Sequence, residues 1–320
     1  MSTRWPRLGL GCATLGTPAP ALADAAAEAV IEAAIDAGIR FFDVAPLYGG
    51  GVAEERLGRA LARLPRDAYV LCTKTGVTRP YAQTAMPPGA MRRREFDRWD
   101  YSARATRTSV LRSLDRLRTD RIDVVHLHDP EAHLGTCLEA HAELSSLHDE
   151  GMVGGIGIGA NLIAPIATLL GRAPFSTFLL AGCYTLLDQS GRTLIEGGSA
   201  RGIRVVAGGV FNSGVLASWP QPAPTFGYAP APAPVVERTA EIGQICARHG
   251  VPLGAAALQF VLGNPAVTTV LLGPRTVAEL EANLAAATLR IPDALWDDLE
   301  AAGAMARGSP RLKHGEASTA

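Results

Sequence analysis

The sequence has few cysteines and no cysteine pattern. Five thiols (Cys12, Cys72, Cys137, Cys183 and Cys246) are scattered over 320 residues, and none forms a CxxC pair. That count excludes a disulfide framework and argues for reduced thiols in a cytoplasmic protein. No apolar run approaches the ~18 residues that a membrane-spanning helix needs. The first residues, MSTRWPRLGLGC, lack the apolar core of a signal peptide. Charge of one sign is missing too. The formal net is −1, which leaves no basic footprint for nucleic acid. With 48% hydrophobic residues the chain has material for one large core or two small ones.

A glycine fingerprint for dinucleotide phosphates is also absent. GLGCATLG (9–16) and GGIGIG (154–159) are glycine-rich, but neither reads G-x-G-x-x-G in register. What is present is alternation. Short apolar runs bounded by glycine are each followed by an amphipathic stretch. Eight such pairs fall at 7–13/22–38, 39–45/52–64, 68–74/105–117, 121–128/134–151, 153–159/162–171, 175–181/190–200, 203–209/234–250 and 267–273/276–287. Apolar runs of this length suit strands buried on both faces. Gly38, Gly151 and Gly202 stop helices just before the next strand. Eight such units predict an α/β fold, a (β/α)8 TIM barrel in a single domain over 1–320, rather than a doubly wound open sheet. Residues from about 303 to 320 read as a flexible tail.

Two connections are long, 75–104 with the basic run Arg92–Arg94, and 208–233. Both follow strands, so both belong to the C-terminal face, where barrel active sites are built. The Pro/Ala stretch 219–234 reads as a lid or substrate loop unable to form strand or interior helix.

Asp43, Lys74 and His128 end the second, third and fourth strands, so three neighbouring strands each deliver a polar group to one rim. Alternation puts His126 on the same side as His128, one layer deeper. Tyr48 follows in the loop after Asp43 and can fold back over the rim. An ammonium favours a nearby phenolate. Lowering a tyrosine pKa by about 3 units needs roughly 4 kcal/mol and makes it an acid or base at neutral pH. The carboxylate would hold Lys74 charged and aimed. Alone, each residue has a plain structural reading; four at consistent positions do not. H-x-H at 126–128 with Asp129 raises a metal-site alternative. No later strand ends in His, Asp or Glu, so no catalytic metal is expected. Gly49–Gly51 either turn the chain into the next helix or leave room for substrate.

FFDVAPLYGGGVAEERLGRAL (41–61), VLCTKTG (70–76) and RIDVVHLHDP (121–130) together resemble the aldo-keto reductase superfamily. The resemblance covers about residues 5–290. It implies a catalytic Asp43, Tyr48, Lys74 and His128 set, a nicotinamide cofactor and no metal. WDYSARATRTSVLRSLDRL (99–117), AGCYTLLDQSG (181–191), FNSGVLA (211–217) and HGVPLGAAALQFVLGNPAV (249–267) are similar to the branch holding L-fucose, D-threo-aldose and L-galactose dehydrogenases, with pyridoxal 4-dehydrogenases nearby. That branch implies oxidation of a cyclic hemiacetal to a lactone, with Tyr48 as the base. A pyridoxal dehydrogenase, a general aldehyde or ketone reductase, and a non-catalytic cofactor-binding regulatory subunit are the alternatives.

By the same resemblance, the residues implied around the cofactor are Gly11, Asn161, Phe211, Gly214, Leu216, Gly273, Arg275, Glu279 and Asn283. Ala181 stands where the family commonly has glutamine. The usual nicotinamide-stacking position falls near Gly208, with Phe211 placed to compensate. The helix after the last strand can hold phosphate on its N–H groups. Glu279 stands where NADP-dependent members commonly carry arginine. A carboxylate there repels a 2′-phosphate and accepts ribose hydroxyls, which favours NAD over NADP. The expected partner is a small sugar or aldehyde.

Overall fold

The computed structural model describes residues 5–16, 22–78, 98–227 and 229–312. Eight parallel strands close a barrel in chain order: β1 (Leu8–Gly11), β2 (Phe41–Asp43), β3 (Val70–Thr75), β4 (Val124–His128), β5 (Ile156–Ala160), β6 (Thr177–Ala181), β7 (Arg204–Gly208) and β8 (Thr269–Leu272). β8 pairs back onto β1 through Leu8↔Val270. Around it lie α1 (Asp24–Asp36), α2 (Val52–Leu61), α3 (Ala103–Leu117), α4 (Cys137–Asp149), α5 (Ile163–Leu170), α6 (Arg192–Ala200), α7 (Ala233–Arg248), α8 (Leu253–Leu262), α9 (Val277–Thr288) and α10 (Asp293–Ala301). Among the described residues no single helix is long and apolar enough to cross a membrane.

Strand alternation sorts the side chains into two cores. Phe41, Val70, Cys72, Val124, Leu179, Val206 and Leu271 pack together inside the barrel, with Trp5 among them. The Trp5 and Phe41 ring centroids stand 5.0 Å apart. The intervening residues, such as Phe42, Leu71 and Val125, join the larger core beneath the helices. Burial of each such Leu, Val or Phe contributes about 1.5–3 kcal/mol. The inner stack is apolar between Arg204, whose guanidinium lies over Trp5 at its lower end, and the polar residues at the C-terminal ends of the strands.

Three expectations change. Helices α8 and α10 lie outside the eight units. All ten residues of α8 are buried, so its sequence carries no polar face to mark it as amphipathic. Gln259 on α8 donates to the carbonyls of Ala286 (2.8 Å) and Leu289 (2.6 Å), closing the end of α9. The Pro/Ala stretch does contain strand. Thr225–Phe226 pairs antiparallel with Ala229–Pro230. Pro230 is tolerated because this two-stranded ribbon is all edge. The first ten residues of the expected tail are docked. Ala304 and Met305 are buried, and Gln189 bonds Ala304 O and Ala306 N at 2.8 and 2.9 Å. Arg311 pairs with Asp297 and Glu300. Residues 313–320 and the Arg92–Arg94 run lie outside the described residues.

Candidate active site

Asp43 and Lys74 continue the two inner rows that carry Phe41 and Val70–Cys72, at the level where the apolar stack ends. Both are only 2% exposed. Lys74 Nζ donates to Asp43 Oδ1 at 2.5 Å and to Val44 O at 3.0 Å. Burying a pair of charges is costly unless they are matched and hydrogen-bonded, as these are. Burial alone would lower the Lys74 pKa. The Asp43 carboxylate and the Tyr48 side chain, which shares a hydrogen bond with it, reverse that and hold it above the ordinary lysine value. Burial pushes the Asp43 carboxyl up, and the ammonium opposes it. The result is a buried ion pair whose ammonium remains available to a neighbour.

That neighbour is Tyr48. Lys74 Nζ lies 5.0 Å from the centre of its ring. The His128 ring stands edge-on to Tyr48, with centroids 5.8 Å apart and planes at 89°. Gly49, Gly50 and Gly51 all adopt left-handed backbone, with φ of 67°, 64° and 104°. They make the turn from Tyr48 into α2. Close packing requires the same residue. A Cβ at Gly49 would lie 2.7 Å from Gly16 O, and one at Gly51 would lie 2.8 Å from Arg116 Cδ. Gly16 in turn leaves room for the Tyr48 backbone, which a Cβ there would approach to 2.5 Å.

Outward-facing Thr73, next to Lys74, holds this turn from below. Its hydroxyl donates to Glu54 Oε1 at 2.7 Å, and Glu54 Oε2 accepts from Arg116 Nε at 2.7 Å. Glu54 is fully buried. It ties α2, the strand carrying Lys74, and α3 into one unit. Its sequence signal is a carboxylate on the apolar face of a helix, in step with Leu57 and Leu61. Tyr101 is a second residue that sequence reasoning missed. Its hydroxyl donates to the carbonyl of His128, while its ring fills the space beside Gly76, where a Cβ would come within 2.0 Å. Both act through partners distant in the sequence.

His126 lies one layer below His128, as alternation predicts, and is fully buried. Burial, then the Lys74 ammonium and His128, push its pKa down to about 3. A neutral ring there leaves Lys74 without a competing cation below it. Its Nδ1 stands 4.0 Å from Asp43 Oδ2. Among the described residues no three His, Cys, Asp or Glu side chains are grouped to hold a metal ion.

The residues expected around a dinucleotide fall on the same rim. Gly11 ends β1 beside Asp43, its register partner. Gly273 follows β8, with the Gly11 carbonyl 3.9 Å from where a Cβ would stand, so this stretch of rim has an open, uncrowded floor. Asn161 follows β5, and its Nδ2 donates to Asp129 Oδ1 at 3.0 Å. Phe211 and Gly214 lie in the turn after β7. Asn212 between them donates to Gly182 O at 3.1 Å, while its buried Oδ1 has no partner among the described residues. That orphaned acceptor suits a group carrying an N–H, such as a carboxamide. Leu216 is fully buried and its N–H is bonded to Phe211 O, so its side chain supports the turn from the core. Thr276 caps α9, accepting from Glu279 N at 3.1 Å. Glu279 Oε2 reaches back past the cap and accepts from Arg275 N at 2.7 Å. The remaining first-turn N–H groups have no partner inside the helix. Asn283 is half-buried two turns into α9.

Comparisons with known proteins place the chain in a family. Residues 7–304 match the model of the Aldo/keto reductase family. The chain is 40% identical over 306 residues to a D-threo-aldose 1-dehydrogenase of a Pseudomonas species, covering 92% of this chain and 93% of that one. It is 35% identical over 320 residues to a pyridoxal 4-dehydrogenase of Microbacterium luteolum, with the same coverage. An aldo-keto reductase structure from Bacillus halodurans superposes with a TM-score of 0.73 at 25% identity, over 92% of this chain and 91% of that one. Four polar residues converging on one barrel rim, and likeness along nearly the whole chain, together place this oxidoreductase in the aldo/keto reductase family.

Proposed function

We propose that the chain oxidises the cyclic hemiacetal of an aldose, of the L-fucose or D-threo-aldose kind, to its lactone, with NAD as the preferred cofactor. The observation that carries the reaction is the buried Lys74–Asp43 pair placed against Tyr48. An ammonium held charged beside a phenol stabilises the phenolate, so Tyr48 can take a proton at neutral pH. The hydroxyl proton at C1 passes to Tyr48 Oη as the carbonyl of the lactone forms. His128, against the Tyr48 ring, hydrogen-bonds the same oxygen and fixes its direction. A bound nicotinamide supplies the hydride acceptor. Gly11, Asn161, Phe211, Gly214, Gly273, Arg275 and Asn283 are the residues proposed to hold it. In the reductive direction Tyr48 gives the proton back.

The substrate class rests on the likeness to the D-threo-aldose dehydrogenase. The preference for NAD rests on Glu279, whose carboxylate already accepts the Arg275 N–H at the start of α9 and would repel a 2′-phosphate. A second reading, pyridoxal oxidation, is favoured by the 35% identical relative. An assay of L-fucose, other aldoses, pyridoxal and simple aldehydes with NAD and NADP separates these. Highest kcat/KM for an aldose with NAD is expected. Turnover of pyridoxal alone would replace the sugar reading, and a strong NADP preference would overturn the role given to Glu279.

A further inference from the structure

Outside the catalytic rim, between the loop that carries Tyr48 and the helix α3, lies a cavity of about 630 Å³. Arg104, Arg112 and Arg116 line it from α3, and Arg98 from the short strand Arg98–Trp99. Arg104, Thr108, Arg112 and Arg116 follow one another at four-residue spacing, so one face of the helix looks into the cavity. Like charges at that spacing destabilise a helix.

Two of the α3 arginines are neutralised by carboxylates. Arg107, pointing elsewhere, is paired with both Glu143 and Glu150. Arg116 is paired with Glu54. Arg112 makes no ion pair or side-chain hydrogen bond among the described residues. Among the described residues one carboxylate, Asp100, lines the cavity, and its Oδ1 accepts the Ser102 N–H. The wall also carries Ser109, whose Oγ has no hydrogen-bond partner among the described residues. A concave surface whose described lining carries four guanidinium groups, one of them (Arg116) already paired with Glu54, against one carboxylate concentrates positive potential and offers planar donors. Guanidinium forks match phosphate oxygens in paired hydrogen bonds.

We propose that this cavity binds a phosphate-bearing small molecule, with Arg104 and Arg112 as its main contacts and Arg98 beside them. The opposite wall is Pro46 and Gly50, which flank Tyr48, with Gly76, two residues beyond Lys74. A ligand in the cavity therefore presses on the segments that place the catalytic tyrosine and lysine. The phosphate belongs either to the substrate itself or to a separate effector, and both sources use the same arginines.

The test is isothermal titration with inorganic pyrophosphate at fixed ionic strength. A saturating nicotinamide dinucleotide is present, so that the cofactor's own phosphate contacts are filled. The double variant Arg104→Ala/Arg112→Ala removes two exposed side chains, and its melting temperature checks that it is folded. Arg172→Ala, an exposed arginine just after α5 and outside the cavity lining, is the control. The expected result is binding to the wild type and the control, weakened at least ten-fold in the double variant. No binding at millimolar pyrophosphate, or equal binding to a folded double variant, overturns the proposal. A kinetic arm compares glyceraldehyde with glyceraldehyde 3-phosphate. An arginine-dependent fall in KM for the phosphorylated aldehyde assigns the phosphate to the substrate. An arginine-dependent change in glyceraldehyde turnover on adding pyrophosphate assigns it to an effector. The binding arm reads no turnover, so it stands whether or not the aldose reading of the active site holds.

Discussion

Asp43, Lys74, Tyr48 and His128 were legible because each ends a strand or follows one, and strand ends in a barrel meet at one face. Lys74 acts on Tyr48 through its charge. Replacing it in Lys74→Met should leave the hydroxyl nearer the ordinary tyrosine value of about 10, moving the rise of the oxidation rate with pH upward by about 2–3 units. A pH–rate profile unchanged from wild type would show that the ammonium does not tune the tyrosine. His126 supplies a different pH signature. Its folded pKa of about 3 lies below the ordinary 6.5, so the unfolded chain takes up this proton first. Stability is then full above pH 6.5 and falls as pH drops toward 3, with a slope of about 1.4 kcal/mol per pH unit from this one group. Denaturant unfolding between pH 6.5 and 4.5, above the carboxylate range, should show that slope, and His126→Gln should flatten it.

At the scale of elements, the eight strand–helix units were readable from apolar runs bounded by glycine. What escaped was structure with no period of its own. Helix α8 is buried all round, and the Thr225–Phe226 ribbon is two residues deep. The Glu54 link escaped for another reason, since Thr73 and Arg116 are 19 and 62 residues away. Removing one partner from a buried charged pair costs about 3–5 kcal/mol. Glu54→Ala should therefore lower the unfolding free energy by about that much, and should reduce kcat more than cofactor affinity by loosening the turn that carries Tyr48. The turn itself requires glycine. Gly49→Ala should cost about 1–2 kcal/mol for the left-handed backbone alone, before the contact with Gly16 is counted. Chemical denaturation of both variants measures these losses. Glu279 on α9 is tested by exchange. Glu279→Arg removes the carboxylate and adds a cation where a 2′-phosphate would sit, so NADP should bind at least ten-fold more tightly than to wild type in a fluorescence titration.

At the scale of the molecule, the barrel works as a stack, with an apolar middle and the polar groups Asp43, Lys74 and His128, with His126 beneath them, toward the C-terminal ends. The charge of Lys74 is retained without water because its partners are built into neighbouring strands. The segment 303–312 belongs to this body. Burial of Met305 alone contributes about 1.5–3 kcal/mol, so truncation after Gly303 should lower the melting temperature measurably. Its docking was hidden in the sequence because the segment is short, contains glycine, and gains its order from distant Gln189 and Asp297. The whole arrangement converges on one proton-transfer atom, the Tyr48 hydroxyl. The most direct test is Tyr48→Phe, followed at the nicotinamide absorbance with cofactor binding measured separately by fluorescence. The prediction is a loss of hydride transfer of at least a thousand-fold with cofactor affinity unchanged. Turnover within ten-fold of wild type would contradict the role assigned to Tyr48.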